Sequence, residues 1–267
     1  MGNYFLEKDN VLFTIIEGVL EDLEARKISL VELQEKIDLA PKVRDCLTSF
    51  QSSKKSSKMK VIAEVKRSSP SKGELAPILD PVGLAVDYQA GGAAAISVLT
   101  EGRRFKGSLA DFAQVRAEID LPMLRKDFIV TEYQVMESRA YGADIQLLIV
   151  AALTDSQLQD FYQLNSELGM ATLFEIHTME ELERAMNLSP QIIGVNSRNL
   201  KNLEVEFSNF ETLIPQIPDS VVKIAESGIS SVAQVKELKE LGADVILVGE
   251  SLVKNSDPKE MLAKLCL

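Results

Sequence analysis

Eight short apolar runs recur along the chain: VIAEVK, AAISVL, PMLRKD, DIQLLIV, ATLFEI, IIGVNSR, VVKIAES and VILVGES. Six of the eight carry a charged residue in their last two positions. A strand covered on both faces reads as such a run. Helical patterns such as TEYQVMESRAYG, TDSQLQDFYQLNSELG, TMEELERAM and SVAQVKELKELG alternate with the runs, which implies parallel βαβ units. The expected fold is an α/β (β/α)8 TIM barrel with an N-terminal helical extension. A chain of 267 residues suits one barrel of roughly 250 residues with an addition.

Side chains alternate across a strand with period two. Glu64 and Lys66 therefore share a face, as do Leu124 and Lys126, Leu173 and Glu175, Asn196 and Arg198, and Ile224 and Glu226. In a closed barrel that face points inward. Charged groups are seldom buried without partners, so acids and bases converging from several strand ends suggest a site at one mouth.

Residues 1–58 read as an N-terminal helical extension and linker and residues 59–267 as the barrel, together forming one catalytic domain. Within the extension VLFTIIEGVLEDLEARK, SLVELQEKI and PKVRDCLTSF have helical patterns, with Ser29 as an N-cap and Pro41 in a first turn. SSKKSSK, from Ser52 to Lys58, reads as an exposed connection. The glycines of GGAAAISVL, YGADIQLLIV and LGADVILVGE mark helix ends before buried strands. The long RSSPSKGELAPILDP loop after the first run is a candidate mobile lid over the mouth.

A net charge of −11 argues against nucleic acid or an anionic membrane as partner. It leaves room for an anionic small molecule, because a few inward cations set the potential of a cleft. Cys46 and Cys266 lack metal-ligand spacing and read as reduced thiols. The apolar patch VLFTII is surrounded by Glu7, Asp9, Glu17 and Glu21, which fits neither a signal peptide nor a membrane span. A soluble cytoplasmic protein is expected, and a monomer is compatible with this pattern.

Glu64 and Lys66 read either as an ion pair closing the barrel end or as part of a site. Lys126 and Glu175 join them from other strands. Two lysines near apolar walls should repel and lose hydration, lowering at least one pKa toward the range of a proton donor. Glu175, after an apolar strand, should have a raised pKa suited to a base, or else serve as counter-ion to Lys126. Asp127 should face the helix layer in a structural salt bridge. Asn196 can orient a hydroxyl, and Arg198 can grip a carboxylate or phosphate or reach to the rim. Small-residue turns at Glu226 to Gly228 and Val248 to Ser251 suit phosphate, with Ser69 and Lys66 within reach from the first loop. His177, the single histidine, reads as a helix-start or surface residue. Phe105 and Phe128 read as an aromatic wall or as ordinary packing.

In AEVKRSSPSKG (63–73), SVLTEGRRFKGS (97–108), LPMLRKDFIV (121–130), LFEIHT (173–178), IIGVNSRNL (192–200), AESGIS (225–230) and LVGESL (247–252) the chain resembles the indole-3-glycerol phosphate synthase family. The resemblance implies a lyase of tryptophan biosynthesis, with no cofactor and no metal. Its substrate would be 1-(2-carboxyphenylamino)-1-deoxyribulose 5-phosphate, which loses carbon dioxide and water to give indole-3-glycerol phosphate. It further implies Lys126 as general acid, Glu175 as general base, and Lys66 as holder of the substrate carboxylate. Glu64, Asn196 and Glu226 would be orienting groups in the catalytic set. Ser69, Phe105, Phe128 and Arg198 would bind substrate, and Lys66, Arg198, Ser227, Gly228, Gly249 and Glu250 would surround the phosphate. Glu250 stands where some members carry Ser, and a carboxylate there should turn away from the anion and leave backbone N–H groups to bind it. A sugar-phosphate isomerase using Glu64 and Glu175, or a silent phosphate-binding scaffold, are the rival readings. The first leaves Lys66 and Lys126 unexplained and the second leaves the whole acid–base set unexplained.

Overall fold

The computed structural model describes residues 11–53, 58–199 and 203–266. Each of the eight apolar runs forms a strand. They are β1 (Lys60–Val65), β4 (Ala95–Leu99), β5 (Met123–Lys126), β6 (Ile145–Ile149), β7 (Ala171–Ile176), β8 (Ile192–Asn196), β9 (Val222–Glu226) and β10 (Val245–Val248). All neighbours are parallel, and β1 pairs with both β4 and β10, so the barrel closes. Between β1 and β4 the first loop forms a small antiparallel hairpin, β2 (Ser68–Ser69) with β3 (Gly73–Glu74). The segment expected to be a lid thus carries structure of its own.

The register sets up the mouth. Leu99 lies beside Lys126, Ile149 beside Glu175, Glu175 beside Gly194, and Asn196 beside Glu226. Alternation on β5 sends Leu124 and Lys126 inward and leaves Arg125 against the surrounding helices, where it is fully buried.

The extension contributes α1 (Val11–Arg26), α2 (Leu30–Leu39) and α3 (Leu47–Ser52). Ser29 caps α2 as expected, in a reciprocal capping box with Glu32. Pro41 does not begin a helix. Ala40, just before it, is extended at ψ 145, because the proline ring disfavours the helical conformation of its predecessor. Residues 41–46 run as a strap whose backbone is held from the barrel side. Arg139 donates to the Pro41 carbonyl at 2.7 Å, Arg116 to that of Lys42 at 3.0 Å, and the Arg44 N–H donates to Asp144 at 2.8 Å. The polar connection is also shorter than SSKKSSK, since Ser52 ends α3 and Ser53 is buried; residues 54–57 of it lie outside the described residues.

The outer layer continues with α4 (Pro81–Ala90), α5 (Leu109–Glu118), α6 (Glu132–Ala140), α7 (Asp155–Glu167) and α8 (Met179–Met186). It ends with α9 (Ser208–Leu213), α10 (Val232–Glu240), α11 (Glu250–Val253) and α12 (Pro258–Leu265). Gly92, Gly142 and Gly242 have φ of 97°, 87° and 99°, the left-handed turn expected at these helix-to-strand junctions.

Helix α1 buries Leu12, Ile15, Ile16, Val19 and Leu23 in the same core as the barrel. Arg103, in the loop after β4, grips Asp22 and Glu21 of α1 at 2.6–2.9 Å. Arg26, the last residue of α1, makes a paired contact with Glu137 of α6, both bonds at 2.9 Å.

Candidate active site

A cavity of about 410 Å³ opens at the C-terminal ends of the strands. Ile15 of α1 joins Glu64, Lys66, Lys126, Glu175, Asn196 and Glu226 in its lining. That is the face on which barrel enzymes carry their sites. Ser69, Phe105, Phe128, Arg198, Ser227, Gly228, Gly249 and Glu250 border the same cavity, so every candidate named from the sequence converges here.

At the centre Lys126 bonds to Glu175 and donates to Glu226 Oε2 at 2.9 Å, while Lys66 pairs with Glu64 at 2.5 Å. Both expected shifts of pKa are reversed. Burial works to deprotonate Lys126, but Glu175, Glu226 and Glu64 outweigh it and its pKa rises. A lysine facing acids keeps its proton, whereas repulsion between lysines needs them unpaired. Burial likewise pushes Glu175 upward. The charges of Lys126 and His177, with hydrogen bonds from Lys126 and Asn196, hold it instead well below the usual carboxylate range. Glu226 is the carboxyl that rises, to about 7, through burial and the nearby charges of Glu175 and Glu64, against the pull of Lys126. Two carboxylates share one ammonium, and their proton affinities are driven apart.

Glycine makes room for these acids. A Cβ on Gly194 would stand 2.0 Å from Glu226 Oε1, and one on Gly249 would stand 2.6 Å from Glu64 Oε2. Gly194 was not singled out from the sequence, although a glycine inside a strand pattern signals a close approach. For Gly249 clearance joins the expected role beside an anion.

The rim is cationic and turned. Arg198 donates to Ser71 Oγ at 3.1 Å and to the Leu203 carbonyl at 2.8 Å, and its N–H donates to Asn196 Oδ1 at 2.9 Å. Ser227 and Gly228 adopt φ of 71° and 73°, a costly conformation for a serine and one that concentrates at functional turns. The Ser69 hydroxyl is buried with no hydrogen-bond partner among the described residues.

Glu250 does not turn away. It stays on the cavity border because Lys72 at 2.7 Å and Lys254 at 2.8 Å neutralise it, relieving the repulsion expected there. Lys254, four residues on, was readable as a helical i,i+4 partner, but Lys72 comes from the distant hairpin.

Phe105 and Phe128 face each other with ring centroids 6.1 Å apart. Phe105 is placed by Glu101, a buried residue the sequence reading passed over, whose carboxylate accepts the backbone N–H groups of Arg103, Arg104 and Phe105 at 2.8–2.9 Å. Asp127 faces outward as expected, accepting from Thr100 at 2.6 Å and from Arg125 at 3.0 Å. His177 does precede the helix start at Thr178, but it is not a surface residue: its ring is buried between Glu175 and Glu181. Among the described residues no group of three or more His, Cys, Asp or Glu is arranged to hold a metal ion.

The fold and the position of this cavity define a (β/α)8-barrel enzyme with a charged site at the strand ends. The model of the indole-3-glycerol phosphate synthase family matches residues 12–265. The chain is 52% identical to the indole-3-glycerol phosphate synthase of Arthrobacter sp. (strain FB24), over 95% of this chain and 94% of that one. It is also 52% identical to that of Micrococcus luteus, over 95% and 96%. The chain therefore belongs to the indole-3-glycerol phosphate synthase family. Among solved structures, the N-acetylmannosamine-6-phosphate 2-epimerase from Clostridium perfringens superposes with a TM-score of 0.59 at 17% identity, covering 79% of this chain and 92% of that one. The thiamine phosphate pyrophosphorylase from Pyrococcus furiosus gives 0.58 at 15%, covering 78% and 93%. At such identities the likeness is one of fold alone.

Proposed function

We propose that the protein closes an indole ring, converting 1-(2-carboxyphenylamino)-1-deoxyribulose 5-phosphate to indole-3-glycerol phosphate, carbon dioxide and water, with Lys126 as the proton donor. The observation that carries this assignment is the inward ammonium held between Glu175 and Glu226 beneath an aromatic wall. The ring carbon bearing the carboxylate attacks the ribulose carbonyl carbon, and Lys126 delivers a proton to the oxygen. Lys126 gives up its proton once the developing alkoxide is a stronger base than the lysine amine, and until then the neighbouring acids keep the ammonium charged. Loss of carbon dioxide returns the bonding electrons to the ring. Lys126, recharged by solvent, gives the new hydroxyl a second proton and it leaves as water, while Glu175, kept ionised, accepts the proton lost from the adjacent carbon. Positioned proton transfers of this kind contribute on the order of 10² to 10⁴ each in rate.

Lys66 holds the substrate carboxylate, and Glu64, Asn196 and Glu226 orient the lysines and hydroxyls. Phe105 and Phe128 flank the ring, with Ile15 of the extension above. The phosphate is received by Arg198, Lys66, Ser69 and the backbone at Ser227, Gly228 and Gly249. Glu250 serves there through Lys72 and Lys254, which it keeps at the rim. Residues 1–58 and 59–267 act as one catalytic domain, a reading supported by the continuous core from α1 into the barrel. The proposed place of work is the cytoplasm, and every residue of the site comes from one chain, which is compatible with a monomer. Its unpaired cysteines, Cys46 and Cys266, fit a reducing compartment. Among the described residues no helix is long and apolar enough to cross a membrane.

The test is direct. Purified protein given the carboxyphenylamino-deoxyribulose phosphate should develop indole fluorescence and release carbon dioxide in equal amounts. Turnover without carbon dioxide would point to isomerisation, and binding without turnover to a scaffold.

A further inference from the structure

His177 is the one histidine of the chain. Its Nδ1 lies 3.2 Å from Glu181 Oε2 and its Nε2 lies 3.6 Å from Glu175 Oε1. Glu181, in the first turn of α8, is fixed because the same oxygen accepts the His177 backbone N–H at 2.7 Å. A neutral imidazole has one donor nitrogen and one lone pair. Nδ1 is within hydrogen-bond distance of Glu181, while Nε2 has no hydrogen-bond partner among the described residues and stands at ion-pair distance from Glu175. A neutral ring protonated at Nδ1 would aim its Nε2 lone pair toward that anion, whereas an imidazolium puts positive charge there. The charged groups that face the ring are Glu175 from β7, Glu181 from α8 and, further off, Glu226 from β9. Burial opposes the charge on the ring, but these acids outweigh it and the ring keeps its proton above the ordinary histidine value. Helix α9 adds only the neutral amide of Asn209, which donates to the His177 carbonyl at 3.1 Å.

We infer that His177 is a positioning residue: as an imidazolium braced by Glu181 it holds and aims the Glu175 carboxylate from the Oε1 side, opposite the oxygen that Lys126 takes. His177 is not among the residues lining the cavity, so it acts through Glu175 and not on the substrate. Its ring approaches the Oε1 side of that carboxylate while Lys126 takes Oε2. Without the imidazolium the two glutamates would differ less, and Glu175 would protonate at higher pH. The catalytic consequence rests on Glu175 being the base, as proposed above; the ion contact stands on geometry alone.

A single histidine makes the first measurement unambiguous. In tag-free protein labelled with ¹⁵N-histidine, the ring nitrogens should keep their imidazolium shifts above the ordinary midpoint of about 6.5. Glu175→Gln and Glu181→Gln should each bring that midpoint down. Second, His177→Gln, neutral but still hydrogen-bonding, and His177→Leu should move the acid limb of the kcat–pH profile upward by about one pH unit, with KM within about threefold of the parent. A ring that titrates at its ordinary value and ignores Glu175→Gln overturns the contact. The expected ring titration with an unmoved acid limb overturns the positioning role of His177, whereas Glu175 as base falls only if Glu175→Gln keeps the parent's kcat. A loss of kcat that is uniform with pH means a merely structural role and overturns the proposal as well. If His177→Leu fails to fold, the ring titration and the Gln variant still decide.

Discussion

One strand carries two buried charge clusters of opposite character. Inside the barrel, Lys126 serves two glutamates, and Glu226 Oε1 is buried without a hydrogen-bond partner among the described residues. Outside, the adjacent Arg125 donates to Thr100, the Gln134 carbonyl, Ser138, Asp127 and Glu137 at 2.9–3.2 Å, and Arg26 closes the chain from α1. The outer cluster has a fixed guanidinium fork whose acceptors are all in place. The inner one has too few cations for its acids and a carboxyl pushed up to about 7. Unresolved electrostatics are what a site that moves protons needs, and satisfied electrostatics are what a wall needs.

Four substitutions test that contrast. The largest effect should come from Lys126→Met, with kcat lowered by about 10³ or more, read by indole fluorescence. Because Lys126 is paired, its loss is not silent for stability: Glu175 and Glu226 are left to share protons. The melting temperature should fall further at pH 8 than at pH 6, and a pH-independent change would break the account of the inner cluster.

Arg125→Met should cost about 3–5 kcal/mol in urea unfolding, since Asp127 and Glu137 lose a buried counter-charge. A cost below about 1 kcal/mol would place the outer cluster in the class of weak surface pairs.

Glu226→Gln comes next. The folded pKa of Glu226 is raised, so its favourable contribution is present in full below the unfolded value near 4.3 and lost as pH rises through about 7. The variant should therefore melt a few degrees above the parent at pH 8 and show little gain at pH 5. The opposite order would mean that Glu226 is the ionised partner.

The smallest effect belongs to Arg26→Met. Its side chain is 31% exposed, so solvent competes for the contact with Glu137, and a loss of about 1 kcal/mol is expected in the same unfolding assay. A loss equal to that of Arg125→Met would make the outer network one cooperative unit.

The inner site was legible in the sequence to the extent that it depends on strand periodicity. Lys126, Glu175, Asn196 and Glu226 each end an apolar run, and period two alone turns them inward. The same rule sent Asp127 outward. What escaped were contacts that strand periodicity does not announce, one within a loop and others brought from far along the chain. Glu101 follows a strand but acts by folding its own loop, and Lys72 reaches Glu250 across 178 positions. Residues 41–46 were misread because PKVRDC has a helical apolar spacing. Its backbone carbonyls are instead taken by Arg116 and Arg139, which no local pattern announces.

Protonation marks the deepest division between the two levels of information. The sequence by itself determined the fold class, the mouth at which the site lies, and which side chains face into it, because alternation, capping and glycine placement are local properties of a chain. It could not say that Lys126 holds its proton, that Glu175 stays ionised while Glu226 rises, or that His177 is buried among acids. Those states depend on how many charges of each sign stand within a few ångströms of one another in a largely buried, low-dielectric setting, and only barrel closure sets that count.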